Sequence, residues 1–153
     1  MILVQDLFEA HLTVSDMDRS VKFYRDVVGL QPAHVLPAGQ AAFFWIGAAG
    51  NAMLGLWLAG LGPQRMTMHI AFRVSPAEVI AAPAVLRSAG ITPLDFEGQP
   101  TDEPVVIAWM PALSVFFRDH DGHLLEYIAM LPDTPRPDDG VVPWHAWRTS
   151  PHS

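Results

Sequence analysis

The sequence predicts an α+β fold in which one β-α-β-β-β pattern occurs twice. Residues 7–14 and 66–74 are alternating polar and apolar stretches, as expected of half-buried strands, and each leads into a capped helix. Three further strand candidates follow each helix. An internal repeat of this length indicates two structural modules that share one core. We place module one at about residues 6–60 and module two at about residues 66–130.

Module one begins with a strand whose polar residues, Glu9, His11 and Thr13, share one face. Ser15 is predicted to cap the following helix, and Gly29 to end it. Residues 60–65 are predicted to link the modules. The remaining strands of module one are expected at about 33–37, 41–46 and 51–58.

Module two repeats this order. His69, Ala71 and Arg73 share one face of its first strand. Ser75 and Glu78 form a predicted capping box, and the helix that they open is expected to run to about Ala89, with an interruption near Pro83. Asp121-Gly122 predicts a hairpin turn. The strands of module two are expected at about 92–97, at about 105–117 with a break near Pro111, and at 123–130.

Composition excludes several classes of function. The 153 residues fit one domain, which we place at 1–131, followed by a Pro- and Asp-rich tail at 132–153. The chain has no cysteine, and its net charge of −7 rules out the basic patch that a nucleic-acid-binding surface needs. No apolar run approaches the ~20 residues that span a bilayer, and no secretory signal precedes the first strand. We therefore expect a cytoplasmic protein. The tail tryptophans, Trp144 and Trp147, predict that the tail lies back on the domain or on a second subunit.

One carboxylate stands out in module two. Glu126 lies among the apolar residues of the last strand, and an unpaired charge is costly to bury. It faces solvent, or it binds a metal ion. His11 and His69 fall at similar positions in the two modules, which makes a shared role more probable than three separate ones. Two imidazoles and one carboxylate suit Zn, Mn, Fe or Ni, and they leave coordination positions open for substrate.

Three segments resemble a known family. They are His11-Leu-Thr-Val with the Phe23-Tyr-Arg-Asp segment that ends at Gly29-Leu, Met68-His-Ile-Ala-Phe, and Asp119-His-Asp-Gly-His-Leu-Leu-Glu126. Over about residues 6–130 the chain resembles the vicinal oxygen chelate superfamily, which includes glyoxalase I, extradiol dioxygenases, fosfomycin-resistance transferases and bleomycin-resistance proteins. The resemblance implies paired βαβββ modules that form a cup-shaped, mostly antiparallel sheet around a divalent metal. It also implies that His11, His69 and Glu126 are the metal ligands, and that the protein is a homodimer.

The subfamily stays open because the chain departs from each pattern. Gly55 stands where glyoxalase I has a fourth, carboxylate ligand, and Phe116 stands where dioxygenases and fosfomycin transferases have a tyrosine. Asp102 and Glu103 make a loop that would repel an anionic phosphonate. No residue is identified as a catalytic acid or base. The predicted substrate contacts are Thr13, Trp57 and Arg73, with Trp45, Phe44 and Trp109 as further candidates for lining the cup.

Two functions remain. The first is a metal-dependent enzyme that binds a small substrate through two oxygens, as a lyase or isomerase, a dioxygenase or a transferase. The second is a metal-free protein that binds a drug-like or aromatic ligand, as bleomycin-resistance proteins do. A degenerate structural homologue is a third alternative. The sequence also leaves open whether the two modules pair within one chain or across a dimer.

Overall fold

The computed structural model of the chain describes residues 7–36, 39–60 and 66–149. Contacts divide the chain into two compact units, 1–68 and 69–153, each built on one β-sheet. The predicted α+β class with two βαβββ modules is confirmed. Within the described residues, no helix is long and apolar enough to cross a membrane. Most of the predicted linker, residues 61–65, lies outside the described residues.

The first unit is a four-stranded sheet with the strand order β1-β4-β3-β2. β1 and β4 run parallel, and the other neighbours are antiparallel. Leu12, Val14 and Leu56 are buried on the sheet face that apolar alternation predicts. The elements are β1 (Glu9–Val14), α1 (Met17–Asp26), β2 (Gln31–Val35), β3 (Ala41–Ile46) and β4 (Ala52–Leu58).

The cap of α1 differs from the sequence prediction by one residue. Asp16 is the N-cap, and its side chain accepts a hydrogen bond from the Arg19 backbone N–H at 3.0 Å. The Ser15 hydroxyl instead accepts from the Arg19 guanidinium. Both Ser and Asp cap helices well, so two adjacent candidates cannot be separated by residue type. Gly29 follows the helix with φ +82°, a backbone conformation that favours glycine.

The second unit is a five-stranded sheet with the order β5-β8-β7-β6-β9. β5 and β8 run parallel, as β1 and β4 do in the first unit. The capping box of Ser75 and Glu78 that opens α2 is confirmed. The interruption predicted near Pro83 is wrong, because α2 continues through this residue. The elements are β5 (His69–Arg73), α2 (Pro76–Ser88), β6 (Val105–Ile107), β7 (Ala112–Arg118), β8 (Leu124–Met130), β9 (Val141–Pro143) and α3 (Trp144–Thr149).

The predicted strand at 92–97 is wrong. Only Leu94 makes isolated bridges there, to Pro100 and Phe116. Asp95 folds the segment into a turn, because its carboxylate accepts hydrogen bonds from the backbone N–H groups of Glu97 and Gln99. An Asp side chain that bonds to nearby backbone competes with strand pairing.

The hairpin between β7 and β8 also differs from the predicted two-residue turn. The last paired residues are Arg118 and Leu124, so five residues connect the strands. The Asp119 carboxylate accepts hydrogen bonds from the backbone N–H groups of Asp121 and His123. Gly122 supplies the positive φ, +88°. The glycine was recognised correctly, and the organising residue is Asp119.

The tail folds onto the second unit. β9 adds an edge strand beside β6, and α3 follows it directly. Trp147 is only 2% exposed, and the Arg136 guanidinium lies 3.6 Å above its ring. The tail tryptophans were predicted to pack on the domain or on a second subunit, and Trp147 packs on the domain.

Replacing the observed cap of α1 should cost stability, and replacing the predicted one should not. Asp16→Ala removes the acceptor for the Arg19 N–H and should lower the free energy of unfolding by about 1 kcal/mol. Ser15→Ala is the matched control and should change it by a few tenths of a kcal/mol. Urea denaturation of both variants measures the difference, and the reverse order would restore Ser15 as the cap.

Stability should also fall in strong base because of Tyr127. This side chain lies on the opposite face of β8 from Glu126, packs against Phe117 with the ring centroids 4.8 Å apart, and burial raises its pKa from 10.0 to about 12. A pKa raised by folding stabilises the protein below the unfolded value, and this contribution is lost as the pH rises from 10 to about 12. Urea denaturation between pH 10 and about 12 should show that the free energy of unfolding falls with pH in the wild type and falls less in Tyr127→Phe. Equal declines would contradict the assignment.

Candidate functional site

The second unit contains a cavity of about 370 Å³ on the face of its sheet that carries His69, Phe116 and Glu126. The three residues come from neighbouring strands in the order β5, β8, β7. Glu126 is the register partner of both Ala71 and Phe116, and His69 precedes Ala71 by two residues, so all of these side chains point to one face. The predicted pair of His69 and Glu126 therefore meets at this cavity.

Glu126 is a buried carboxylate in which one of the two oxygens has a hydrogen-bond partner among the described residues. The residue is 4% exposed, and its Oε2 lies 3.1 Å from His69 Nε2. Its Oε1 is buried and has no hydrogen-bond partner among the described residues. Native proteins pair nearly all such atoms, so an oxygen left in this state indicates a missing partner.

The geometry of the pair fits two adjacent ligands of one metal ion. Ligand atoms about 2.0–2.2 Å from a zinc-sized ion lie roughly 2.8–3.6 Å from each other, the shorter distances in octahedral sites and the longer ones in tetrahedral sites. The observed 3.1 Å between Nε2 and Oε2 falls in that range. Across the part of the chain that the structure describes, however, no group of three His, Cys, Asp or Glu side chains is assembled to hold a metal. His69 and Glu126 are the two predicted ligands that the second unit brings together.

The rest of the cavity is apolar. Phe96, Ile107, Trp109 and Met110 line it beside Phe116. Phe96 is 57% exposed and Trp109 is 61% exposed. Large apolar side chains that line a cavity while exposed to solvent are typical of a ligand-binding surface. The polar groups of the cavity lining are thus concentrated at the His69 and Glu126 end.

A second buried oxygen lies on the same face. Ser114 precedes Phe116 by two residues on β7 and is fully buried. Its Oγ lacks a hydrogen-bond partner among the described residues.

In the first unit, both ring nitrogens of His11 are engaged. The Trp57 indole N–H donates to His11 Nδ1. An indole nitrogen can only donate, so Nδ1 is the unprotonated nitrogen and the proton is on Nε2. Nε2 lies 3.2 Å from Glu9 Oε1. His11 can therefore bind a metal only after Trp57 releases Nδ1, which then either binds the ion or carries the proton that leaves Nε2.

Gly55 makes this arrangement of His11 possible. A Cβ at this position would lie 3.1 Å from His11 Nδ1 and 3.2 Å from Phe43 Cε1. Both contacts are tighter than ordinary van der Waals distances. The His11 ring therefore occupies part of the space that a side chain at position 55 would need.

The strand register leaves two alternatives for the residue of module one that matches His69. In the second unit, Glu126 pairs with Ala71, and His69 lies two residues before that partner. If Gly55 corresponds to Glu126, its partner is His11, and Glu9, two positions earlier, corresponds to His69.

If His11 corresponds to His69, as the sequence predicts, the residue two positions later is Thr13, and its partner Trp57 stands in the place of Glu126. The register therefore excludes only the combination in which His11 matches His69 and Gly55 matches Glu126.

None of the three predicted substrate contacts belongs to the lining of this cavity. Thr13 and Trp57 are register partners on β1 and β4, in the first unit. Arg73 is exposed at the end of β5 and does not line the cavity. The three remain predictions as substrate contacts.

The two carboxylates of the loop that was expected to repel anions both have close partners. The Arg87 guanidinium lies 2.6 Å from the Asp102 carboxylate, and His145 Nδ1 lies 2.6 Å from Glu103 Oε1. The charge of Asp102 is offset by Arg87, so the repulsion of an anion is weaker than the sequence predicts. No Lys or Arg lines the described cavity either, so an anion would find no cationic partner in that lining.

Sequence reasoning missed most of the cavity wall. Trp109 was proposed, but Phe96, Met110 and Val141 were not. The adjacent β-branched residues Val141 and Val142, which follow a glycine, were the available signal for a short strand. They were treated as part of an irregular tail.

Comparison with known proteins agrees with this architecture. Residues 6–127 match the model of the Glyoxalase/Bleomycin resistance protein/Dioxygenase superfamily. Metallothiol transferase FosB of Shouchella clausii is 32% identical over 126 residues, which cover 76% of this chain and 75% of that protein.

Two solved structures extend the comparison. An integron cassette protein from the mobile metagenome of the Halifax Harbour sewage outfall has a TM-score of 0.68 and 27% identity, covering 83% of this chain and all of that one. Lactoylglutathione lyase from Agrobacterium tumefaciens has a TM-score of 0.61 and 26% identity, covering 82% and 93%. With two βαβββ modules and a family match over most of its length, the chain belongs to the glyoxalase/bleomycin resistance protein/dioxygenase superfamily, the vicinal oxygen chelate proteins.

Proposed function

We propose that the protein is an enzyme that holds a divalent metal ion through His69, Glu126 and a third ligand from module one. The sequence assigns this third ligand to His11. The observation that carries the proposal is Glu126, a buried carboxylate whose Oε1 has no partner among the described residues and whose Oε2 lies beside His69.

A structural role explains Glu126 poorly. A buried carboxylate kept only for stability should have both oxygens hydrogen-bonded, because each unsatisfied charged atom costs free energy. Its histidine neighbour has a half-exposed side chain and satisfies one oxygen only. A divalent cation would satisfy both oxygens of the carboxylate and accept the imidazole lone pair.

The bound metal would act as a Lewis acid that stabilises an oxyanion of the substrate. Zn, Mn, Fe and Ni all suit this donor set. The protein's own contribution is to hold the two donors 3.1 Å apart at the end of an apolar cavity. Glu126 itself is 4% exposed, so the electrostatic contacts of its carboxylate are screened little by water.

The cavity favours a small substrate with an apolar or aromatic body and an oxygen-bearing end. Phe96, Trp109 and Phe116 offer ring faces and edges to such a body. The names of the relatives include a metallothiol transferase and a lactoylglutathione lyase. Transfer, lyase or isomerase, and dioxygenase reactions therefore remain the three to assay, and the homodimer expected from the resemblance remains to be measured by sedimentation.

A metal-free binding protein is the second candidate. The observation that favours it is His11, whose two ring nitrogens are held by Trp57 and Glu9. In that case the cavity would bind an apolar ligand, and His69 and Glu126 would serve as its polar anchor.

Metal content should depend on Glu126 and His69. Untagged wild-type protein loaded with Zn, Mn, Fe or Ni and then dialysed should retain close to one ion per chain. Glu126→Gln and His69→Ala should each weaken binding more than a hundredfold, because each removes one of three ligands. Elemental analysis and competition with a chelator measure both values.

Matched controls keep this test specific. Glu97 and His34 are exposed residues of the same types outside the cavity, so Glu97→Gln and His34→Ala should retain the metal. Circular dichroism must show that all variants fold. Wild-type protein that retains none of the four metals would sink the enzyme proposal and leave the binding protein.

The third ligand can be identified by a pair of variants on β1. If His11 is the ligand, His11→Ala should lose the metal as Glu126→Gln does, and Trp57→Phe should bind metal more tightly, because it frees Nδ1 to carry the proton. If Glu9 is the ligand, Glu9→Gln should lose the metal and His11→Ala should weaken it only about 10–100-fold, as expected for a residue that orients a ligand. If both His11→Ala and Glu9→Gln retain the metal, the third ligand is neither of these two residues of β1.

A further inference from the structure

The second unit's cavity has a wall that lies outside the family region. The family match ends at residue 127, whereas Gly140 and Val141 line the cavity. Ile107 on β6 and Val141 on β9 are register partners, and both line the cavity. The edge strand of the tail therefore continues the cavity surface beyond the sheet of the βαβββ module.

Backbone hydrogen bonds fix this wall. The Ala108 N–H donates to the Gly140 carbonyl at 2.8 Å, and the Arg136 N–H donates to the Ala108 carbonyl at 2.8 Å. Ala108 is thus bonded to both ends of the segment that leads into β9. Gly140 has φ +68°, which turns the chain into the strand.

Side chains of the tail hold the segment from its far end. Trp147 is buried beneath the Arg136 guanidinium. The Trp144 N–H donates to the Pro104 carbonyl at 3.0 Å. The Glu103 carboxylate accepts from the His145 backbone N–H at 3.0 Å and lies beside its ring. The wall is a fixed part of the cavity with several independent anchors.

We infer that Val141 is a specificity-determining residue, which sets how large an apolar group the cavity accepts beyond the His69 and Glu126 end. Alternation along β9 directs Val141 to the cavity face and Val142 to the opposite face. Val142 lies outside the cavity lining in the described structure, although it has the same side chain. The inference deepens the proposed function, because it takes His69 and Glu126 as the polar anchor of the ligand.

A series of 4-alkylphenols tests this inference by isothermal titration calorimetry. Each methylene that becomes buried should tighten binding about fourfold, until the chain reaches the wall. Val141→Ala should move this limit to a chain at least one methylene longer. Val141→Phe should move it to a shorter chain, with a loss of about tenfold or more for the longest phenol that the wild type accepts.

Val142→Ala is the control and should keep the wild-type limit. A general loss of stability would weaken the binding of all phenols equally, whereas a shift of the chain-length limit would change the affinity of the longer phenols only. The inference is overturned if no phenol binds, if all four proteins share one limit, or if Val142→Ala shifts it as Val141→Ala does.

The same series separates the inference from the proposed function. Titrations are run on metal-free protein and on protein loaded with zinc. A chain-length limit that follows Val141, in a protein that retains no metal, would support the wall and reject the metal enzyme. A protein that retains the metal, but whose chain-length limit does not change with Val141, would support the metal enzyme and reject the inference about Val141.

Discussion

The architecture of the second unit centres on the burial of Glu126. The strand order places β8 between β5 and β7, so this carboxylate lies at the middle of a sheet face with apolar neighbours on both sides. Charge in such a place is tolerated only with a close partner. His69 reaches one oxygen, and the other has no hydrogen-bond partner among the described residues. The same placement makes Glu126 part of the cavity lining.

Local patterns predicted most of the fold. Alternation identified β1 and β5, and the capping box at Ser75 was confirmed, because these signals depend on residues close in sequence. The segment 92–97 was mistaken for a strand because its apolar residues have strand propensity, while the decisive feature was an Asp95 side chain that bonds to backbone. Competition between a side chain and strand pairing depends on geometry that residue type alone does not determine.

The candidate site was predicted as a set of residue types, but their partners were not. His69 and Glu126 meet as expected. That Trp57 would donate to His11 from 46 residues away could not be read from the sequence. Strand register was equally hidden: a shift of two residues exchanges Glu9 for His11 and preserves every alternation pattern. The tail strand was missed because three residues are too few for a periodic signal.

The stacking of Arg136 on Trp147 has a consequence for how the molecule is made. The residues of both modules leave the ribosome before Trp147 does, and domains fold as units during synthesis. Both sheets can pair while β9 is still absent, and the cavity is then open on that side. Its last wall closes when the indole docks beneath the guanidinium. The nascent chain can thus bring His69 and Glu126 together first and complete the wall of the cavity last.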